Sequence, residues 1–136
     1  MIIISGGVGV TPIFSILNYL DELMFLKKIN INVLFVWIVK NTVLIDHFKQ
    51  IINDFLHNKK INIHVYITEK NINYSCEGGY VRLFKPNIDK VINQYIITKG
   101  LGAKDTCILG SGPERLLNNI KDVSLNLDID NFCEEF

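Results

Sequence analysis

A chain of 136 residues has room for one domain, since domains usually run to about 100–150 residues, and a large multi-domain enzyme does not fit within it. Lysine plus arginine and aspartate plus glutamate both number 14, so the formal charge is zero and nucleic acid is not expected as a partner. With 49% hydrophobic and 10% aromatic residues the chain is too apolar for disorder and can bury a core.

The longest apolar run, Val33 to Val39, is far short of the roughly 20 residues a membrane-spanning helix needs, so this segment is expected to be soluble, without direct membrane insertion. Cys76, Cys107 and Cys133 are odd in number and lack C-x-x-C spacing, which fits reduced thiols better than a disulfide framework or a zinc site. Isoleucine and asparagine are abundant, and Arg82 and Arg115 stand against 12 lysines, a bias that says little about function.

In chain order, Met1 to Ser5 reads as a short buried strand broken by Gly6-Gly7. A helix follows from Thr11, with Thr11 as N-cap, Pro12 at the first helical position, and Ile13, Ile16, Leu17, Leu20, Leu23 and Met24 on one face. Lys27 and Lys28 close it at the negative end of its dipole. Val33 to Val39 has the character of a central parallel strand covered on both faces, and a second helix spans Leu44 to His57. Ile61, Ile63, Val65 and Ile67 alternate with polar or mixed residues as a third strand. Residues 69–86 have no clear period and read as a long loop. A helix from about Asn87 to Ile97 leads to a fourth strand, Thr106 to Leu109, running into the turn Gly110-Ser111-Gly112-Pro113. A short helix, Glu114 to Ile120, and a last strand within Val123 to Phe136 complete the chain. This alternation predicts a single α/β domain over residues 1–136: a parallel, doubly wound Rossmann-like sheet with helices on both faces.

In such a sheet the ligand crevice lies outside the carboxyl ends of the strands, where the strand order reverses. That selects Gly6 to Pro12, Val39 to Asn41 and Gly110 to Pro113, with residues 69–86 close by. Gly6-Gly7-Val8-Gly9-Val10-Thr11-Pro12 joins a strand directly to a helix, so its glycines admit positive φ and close backbone approach, and the helix N-terminus favours an anion such as a pyrophosphate. No Gly-Lys-Ser/Thr ends the loop and the spacing is not strict G-x-G-x-x-G; the pattern also fits a tight turn without a ligand.

Gly6 to Pro12 followed by Ser15-Ile16-Leu17 resembles the GGxGxTP…SIL segment of the ferredoxin-NADP reductase superfamily, and in particular the C-terminal NAD-binding domain of its ferric reductase and NADPH oxidase branch. Phe35-Val36-Trp37-Ile38-Val39-Lys40 is similar to that branch's Trp-containing strand with a basic end, Gly110-Ser111-Gly112-Pro113 to its Cys-Gly-Pro motif, and Asn131 to Phe136 to its aromatic, Glu-containing tail. The resemblance covers essentially the whole chain. It implies hydride delivery from NADPH to FAD held mainly by a separate FAD-binding domain of the same parent chain, a longer membrane flavocytochrome whose haems carry electrons onward, with this domain on the cytosolic face. Gly7, Gly9 and Thr11 would then hold the pyrophosphate, with Gly6 and Pro12 in the same loop. Gly112 and Pro113 would line the nicotinamide pocket, with Gly110 a cofactor-binding residue of the same motif, and Phe136 would lie against the flavin ring and yield to nicotinamide. Two departures stand out: Ser111 replaces the motif's cysteine near the hydride-transferring carbon, and Phe84-Lys85-Pro86 resembles a Gly-Arg-Pro segment with lysine for arginine.

Cofactor preference is legible without the family. A fold of this kind that prefers NAD offers Asp or Glu near the end of its second strand; here stands Lys40, with Arg82 and Lys85 expected nearby, a charge that suits the 2′-phosphate of NADPH. Lys40 also fits a solvated strand-end lysine. Trp37 is expected in the core, His47, His57 and His64 show no metal spacing, and Glu134 and Glu135 fit a solvated tail. Two other functions remain open: a redox-inactive nucleotide-binding or interaction domain, which Ser111 favours, and a soluble domain like that of cytochrome b5 reductase.

Overall fold

The computed structural model describes residues 1–76 and 78–135. Among them, six strands form one parallel sheet: β1 (Ile2–Gly6), β2 (Val33–Val39), β3 (Ile61–Ile67), β4 (Val81–Arg82), β5 (Cys107–Gly112) and β6 (Asp130–Glu135). Their spatial order is β4-β3-β2-β1-β5-β6. Every residue of β1 is buried, as its isoleucines require, and its register sets Ile4 between Val36 of β2 and Gly110 of β5. From β1 the chain first builds outward to β4 and then crosses back to β5, so the order reverses between β1 and β5.

Four helices cover the sheet: α1 (Thr11–Phe25), α2 (Val43–Phe55), α3 (Ile88–Lys99) and α4 (Glu114–Leu127). Alternate side chains of the strands feed two separate cores. On one face Ile3, Phe35 and Trp37 meet Ile13, Phe14 and Leu17 of α1 and Ile45, Ile52 and Phe55 of α2. On the other, Ile2, Ile4, Leu34 and Val36 meet Ile88, Ile92 and Tyr95 of α3 and Leu117 and Ile120 of α4. The doubly wound architecture expected from the alternation is therefore the observed one. No described helix is long and apolar enough to cross a membrane.

Several boundaries differ from expectation for identifiable reasons. Thr11 is not an N-cap: a single 3-10 turn, Gly7–Val10, runs straight into α1, and the Thr11 hydroxyl donates to the carbonyl of Val8 at 3.3 Å. The end of α1 is closed by geometry as well as charge, because Lys27 takes φ 57° and the Lys28 N–H donates to the Leu23 carbonyl at 2.9 Å, a left-handed cap built without glycine. Residues 69–86 are not wholly loop, since Val81 and Arg82 pair with Val65 and Tyr66 as β4. Gly110-Ser111-Gly112 is not a turn but the buried end of β5, paired with β1 and β6, and α4 runs seven residues past Ile120 to Leu127.

Candidate functional site

At the reversal point a cleft of about 760 Å³ opens above the carboxyl ends of β1 and β2, within the range of small-molecule and cofactor sites. Its floor is the turn Gly6-Gly7-Val8-Gly9, one wall is Ile38 to Lys40 at the end of β2, and the opposite wall is Pro113 with the first turns of α4.

The glycines divide the work between them. A Cβ on Gly9 would stand 3.0 Å from the Cα of Gly112 and 3.1 Å from its nitrogen, and one on Gly112, at φ 149°, would stand 3.0 Å from the nitrogen of Gly6. A Cβ on Gly6 would meet Pro113 and Leu116 at 3.0 Å or less. Gly9 and Gly112 are glycine because the turn and the end of β5 touch backbone to backbone, and Gly6 because the side chains of Pro113 and Leu116 close over it. Gly7 differs: at φ 54° it needs left-handed freedom, and nothing lies within 4 Å of where its Cβ would be. It is the glycine whose missing side chain leaves room for a ligand.

Two buried side chains fix the turn from below. The Trp37 indole N–H donates to the Gly7 carbonyl at 2.9 Å, and the Ser111 hydroxyl donates to the Gly9 carbonyl at 2.7 Å. Trp37 is core, as expected, and also a positioning residue for the loop, which the sequence reading missed. Behind the turn, α1 begins with no side-chain cap and no acidic residue in its first turn, so the positive end of its dipole is left uncompensated beside the turn.

Lys40, Lys85 and Arg115 line the cleft, and no carboxylate does so among the described residues. In a chain of zero net charge, this is a local concentration of one sign. Six of the expected site residues come together here: Gly6, Gly7, Gly9, Lys40, Lys85 and Pro113. Thr11 and Pro12 lie in the first turn of α1 and do not line the cleft. Gly110 is buried under Ile120, Leu117 and Cys133, and Ser111 is turned inward to Gly9, so neither faces the cavity. Arg82 stands apart, one strand beyond β3, drawn over the Tyr66 ring at 5.8 Å with its guanidinium donating to the Tyr80 carbonyl at 3.4 Å. Phe136 lies outside the described residues. Arg115 and Asn119, in the first turns of α4, escaped the sequence reading; the signal for Arg115 was its place two residues after Pro113, at the opening of a helix.

The residues present fit a dinucleotide diphosphate: a backbone cradle with space over Gly7, a helix N-terminus behind it, and, among the described residues, three cations around it and no carboxylate. A parallel doubly wound sheet with such a cleft at its reversal point defines a nucleotide-binding α/β domain.

Residues 1–77 match the family described as the ferric reductase NAD binding domain, and the chain belongs to that family. It is 24% identical over 131 residues to human dual oxidase 1 and 25% identical over 132 residues to pig dual oxidase 2. Each alignment covers 90% of this chain but 8% of the relative, so the chain spans a small part of the proteins it matches. The fold is also that of a crystal structure of flavohemoglobin from Malassezia yamatoensis with bound FAD and heme, at a TM-score of 0.65 and 17% identity, covering 99% of this chain and 31% of that one.

Proposed function

We propose that this domain binds NADPH and presents its nicotinamide to FAD carried by a separate domain, as the nucleotide-binding half of an oxidoreductase. The observation that carries the reading is the cleft itself: a glycine turn braced by Trp37 and Ser111, facing Lys40, Lys85 and Arg115 with no opposing carboxylate among the described residues. When bound, NADPH supplies the hydride and FAD accepts it. The chain's own part is to hold and orient. The Gly6–Gly9 turn receives the diphosphate with the positive end of α1 behind it, the lysines and Arg115 neutralise phosphate charge, and Pro113 with Leu116 gives an apolar wall that excludes water. Lys40 at the end of β2, where an NAD-preferring site carries a carboxylate, supports a preference for the 2′-phosphate. The family membership and the FAD held by the flavohemoglobin support a flavin acceptor, and the dual oxidase relatives support an oxidoreductase parent.

The test is to mix the chain with the flavin-bearing domain of its parent and add NADPH without oxygen. Loss of flavin absorbance is expected; none at saturating NADPH rejects hydride delivery. NADPH is also expected to raise the melting temperature more than NADH, with Lys40→Ala reducing the difference, and equal shifts reject the 2′-phosphate preference. A second reading, nucleotide binding without redox transfer, is favoured by Ser111, whose hydroxyl is engaged with Gly9 rather than presented to the cleft. It corresponds to NADPH-dependent stabilisation with no flavin bleaching.

A further inference from the structure

The face of β3 turned away from α2 carries Asn62, His64 and Tyr66, the polar half of the strand's alternation, while Ile61, Ile63, Val65 and Ile67 enter the opposite core. The buried side chains of α3 join the core over β1 and β2, and a second cavity of about 650 Å³ runs between α3 and this polar face. Arg82, Lys85, Lys90 and Lys99 line it and no carboxylate does so among the described residues. Four cations have therefore been gathered on one side of a chain with as many acids as bases.

Its walls are aromatic. Tyr66 is 4% exposed, Phe84 packs edge-on against it at 5.5 Å, and the Arg82 guanidinium lies over the Tyr66 ring. Two of the lining residues carry a buried polar atom with no hydrogen-bond partner among the described residues: the hydroxyl of Tyr95, a residue more than nine-tenths buried, and Nδ1 of His64. Burial, with Arg82 beside it, holds the His64 imidazole down at about 4, so near neutrality it is uncharged and offers one donor and one acceptor. A buried polar atom without a partner calls for a ligand or ordered water.

We propose that this cavity is a second ligand site, for an aromatic phosphate ester of nucleoside monophosphate size, its ring against Tyr66 and Phe84 and its phosphate among Arg82, Lys90 and Lys99. Rings plus cations are the recurring means of holding such a molecule, stacking for the base and charge-assisted hydrogen bonds for the phosphate. The site is distinct from the glycine-turn cleft; Lys85 is the one described residue that lines both.

AMP and inorganic phosphate are suitable probes, titrated into the isotope-labelled chain and followed by amide chemical shifts. AMP is expected to move Asn62, His64, Tyr66 and Tyr95, and to do so with NADPH present. The Arg82→Gln/Lys99→Gln double variant should weaken AMP binding there by at least about tenfold, as loss of charge-assisted contacts implies, whereas Lys40→Ala should leave it unchanged. Inorganic phosphate should bind at least about tenfold more weakly than AMP, because it forfeits the ring contacts. Lys90→Gln, an exposed change on α3, should give a smaller loss and keeps the test decisive should the double variant fail to fold. AMP shifts confined to Gly7–Val10 and Lys40 would overturn the proposal, as would unchanged affinity in these variants or equal binding of phosphate and AMP. NADPH binding is read separately on the Gly7–Val10 amides, so failure of either site leaves the other measurable.

Discussion

The two basic cavities are built from different materials. The cleft at the β1–β5 reversal is floored by backbone: Gly112 packs against both Gly6 and Gly9, and the carbonyls of Gly7 and Gly9 are each held by a buried donor. The cavity beside α3 is floored by side chains, the polar alternation of β3 and the lysines of α3. A backbone site has its shape set by packing, so a single methyl group there is felt by the whole sheet. A side-chain site can lose one member and keep its shape, so its variants should grade.

The largest effect expected from this contrast is that of Gly9→Ala. The new methyl would press on the backbone of Gly112 and Ser111, neither of which can swing aside, so stability should fall by about 1–3 kcal/mol. NADPH affinity should fall at least about tenfold as the cradle shifts; chemical denaturation and calorimetric titration check the two losses. Gly7→Ala sharpens the point, because only the left-handed backbone opposes it, at about 1–2 kcal/mol. There, NADPH binding should suffer more than stability, and the reverse ranking would mean that Gly7 serves the fold alone.

Next in size, Trp37→Phe keeps most of the buried ring but removes the donor to the Gly7 carbonyl, and should cost about 1–2 kcal/mol by thermal melting. Ser111→Ala removes the matching bond to Gly9 and should cost about 1 kcal/mol. If either change leaves NADPH affinity untouched, the turn holds its shape without its braces. Lys85→Gln should be milder still, weakening NADPH and AMP alike by about threefold, since one partly solvated cation contributes modestly. An effect on one ligand alone would break the link between the cavities.

The last effect is one of pH and is confined to the acid range. His64 in the folded chain titrates at about 4, below the ordinary value of 6.5, so between these values the unfolded chain holds more protons than the folded one. Its contribution to stability is therefore complete above pH 6.5 and is lost as pH falls toward 4. Melting temperatures measured across that window should show a slope that His64→Gln reduces; an unchanged slope would mean that the imidazole remains solvated.

Much of this is legible in the amino-acid sequence. Three isoleucines after Met1, a glycine-rich break and a proline-led amphipathic run force a buried strand, a turn and a helix in that order, and the β-branched run of β2 admits little but a central strand. The alternation in β3 was visible too, though not that its polar half would border a cavity. Gly110-Ser111-Gly112 misled, because glycine and serine are turn formers locally and only pairing with β1 and β6 makes them a strand. Arg82 is expected beside Lys40 but lies over Tyr66 instead, because the sequence does not say which side of an edge strand a side chain takes.

By itself, then, the sequence determined the class of fold, the glycine turn and the end of the sheet where a ligand would sit, since hydrophobic periodicity and glycine are local signals that survive without a partner. Only the tertiary structure decided what each glycine is for, that Trp37 and Ser111 brace the turn, that Arg115 joins Lys40 and Lys85, and that Arg82 belongs with Tyr66 and His64. Those are contacts between residues up to 102 positions apart in the chain. The physical reason is that periodicity says which way a side chain points, whereas only the closing of the sheet says what it meets.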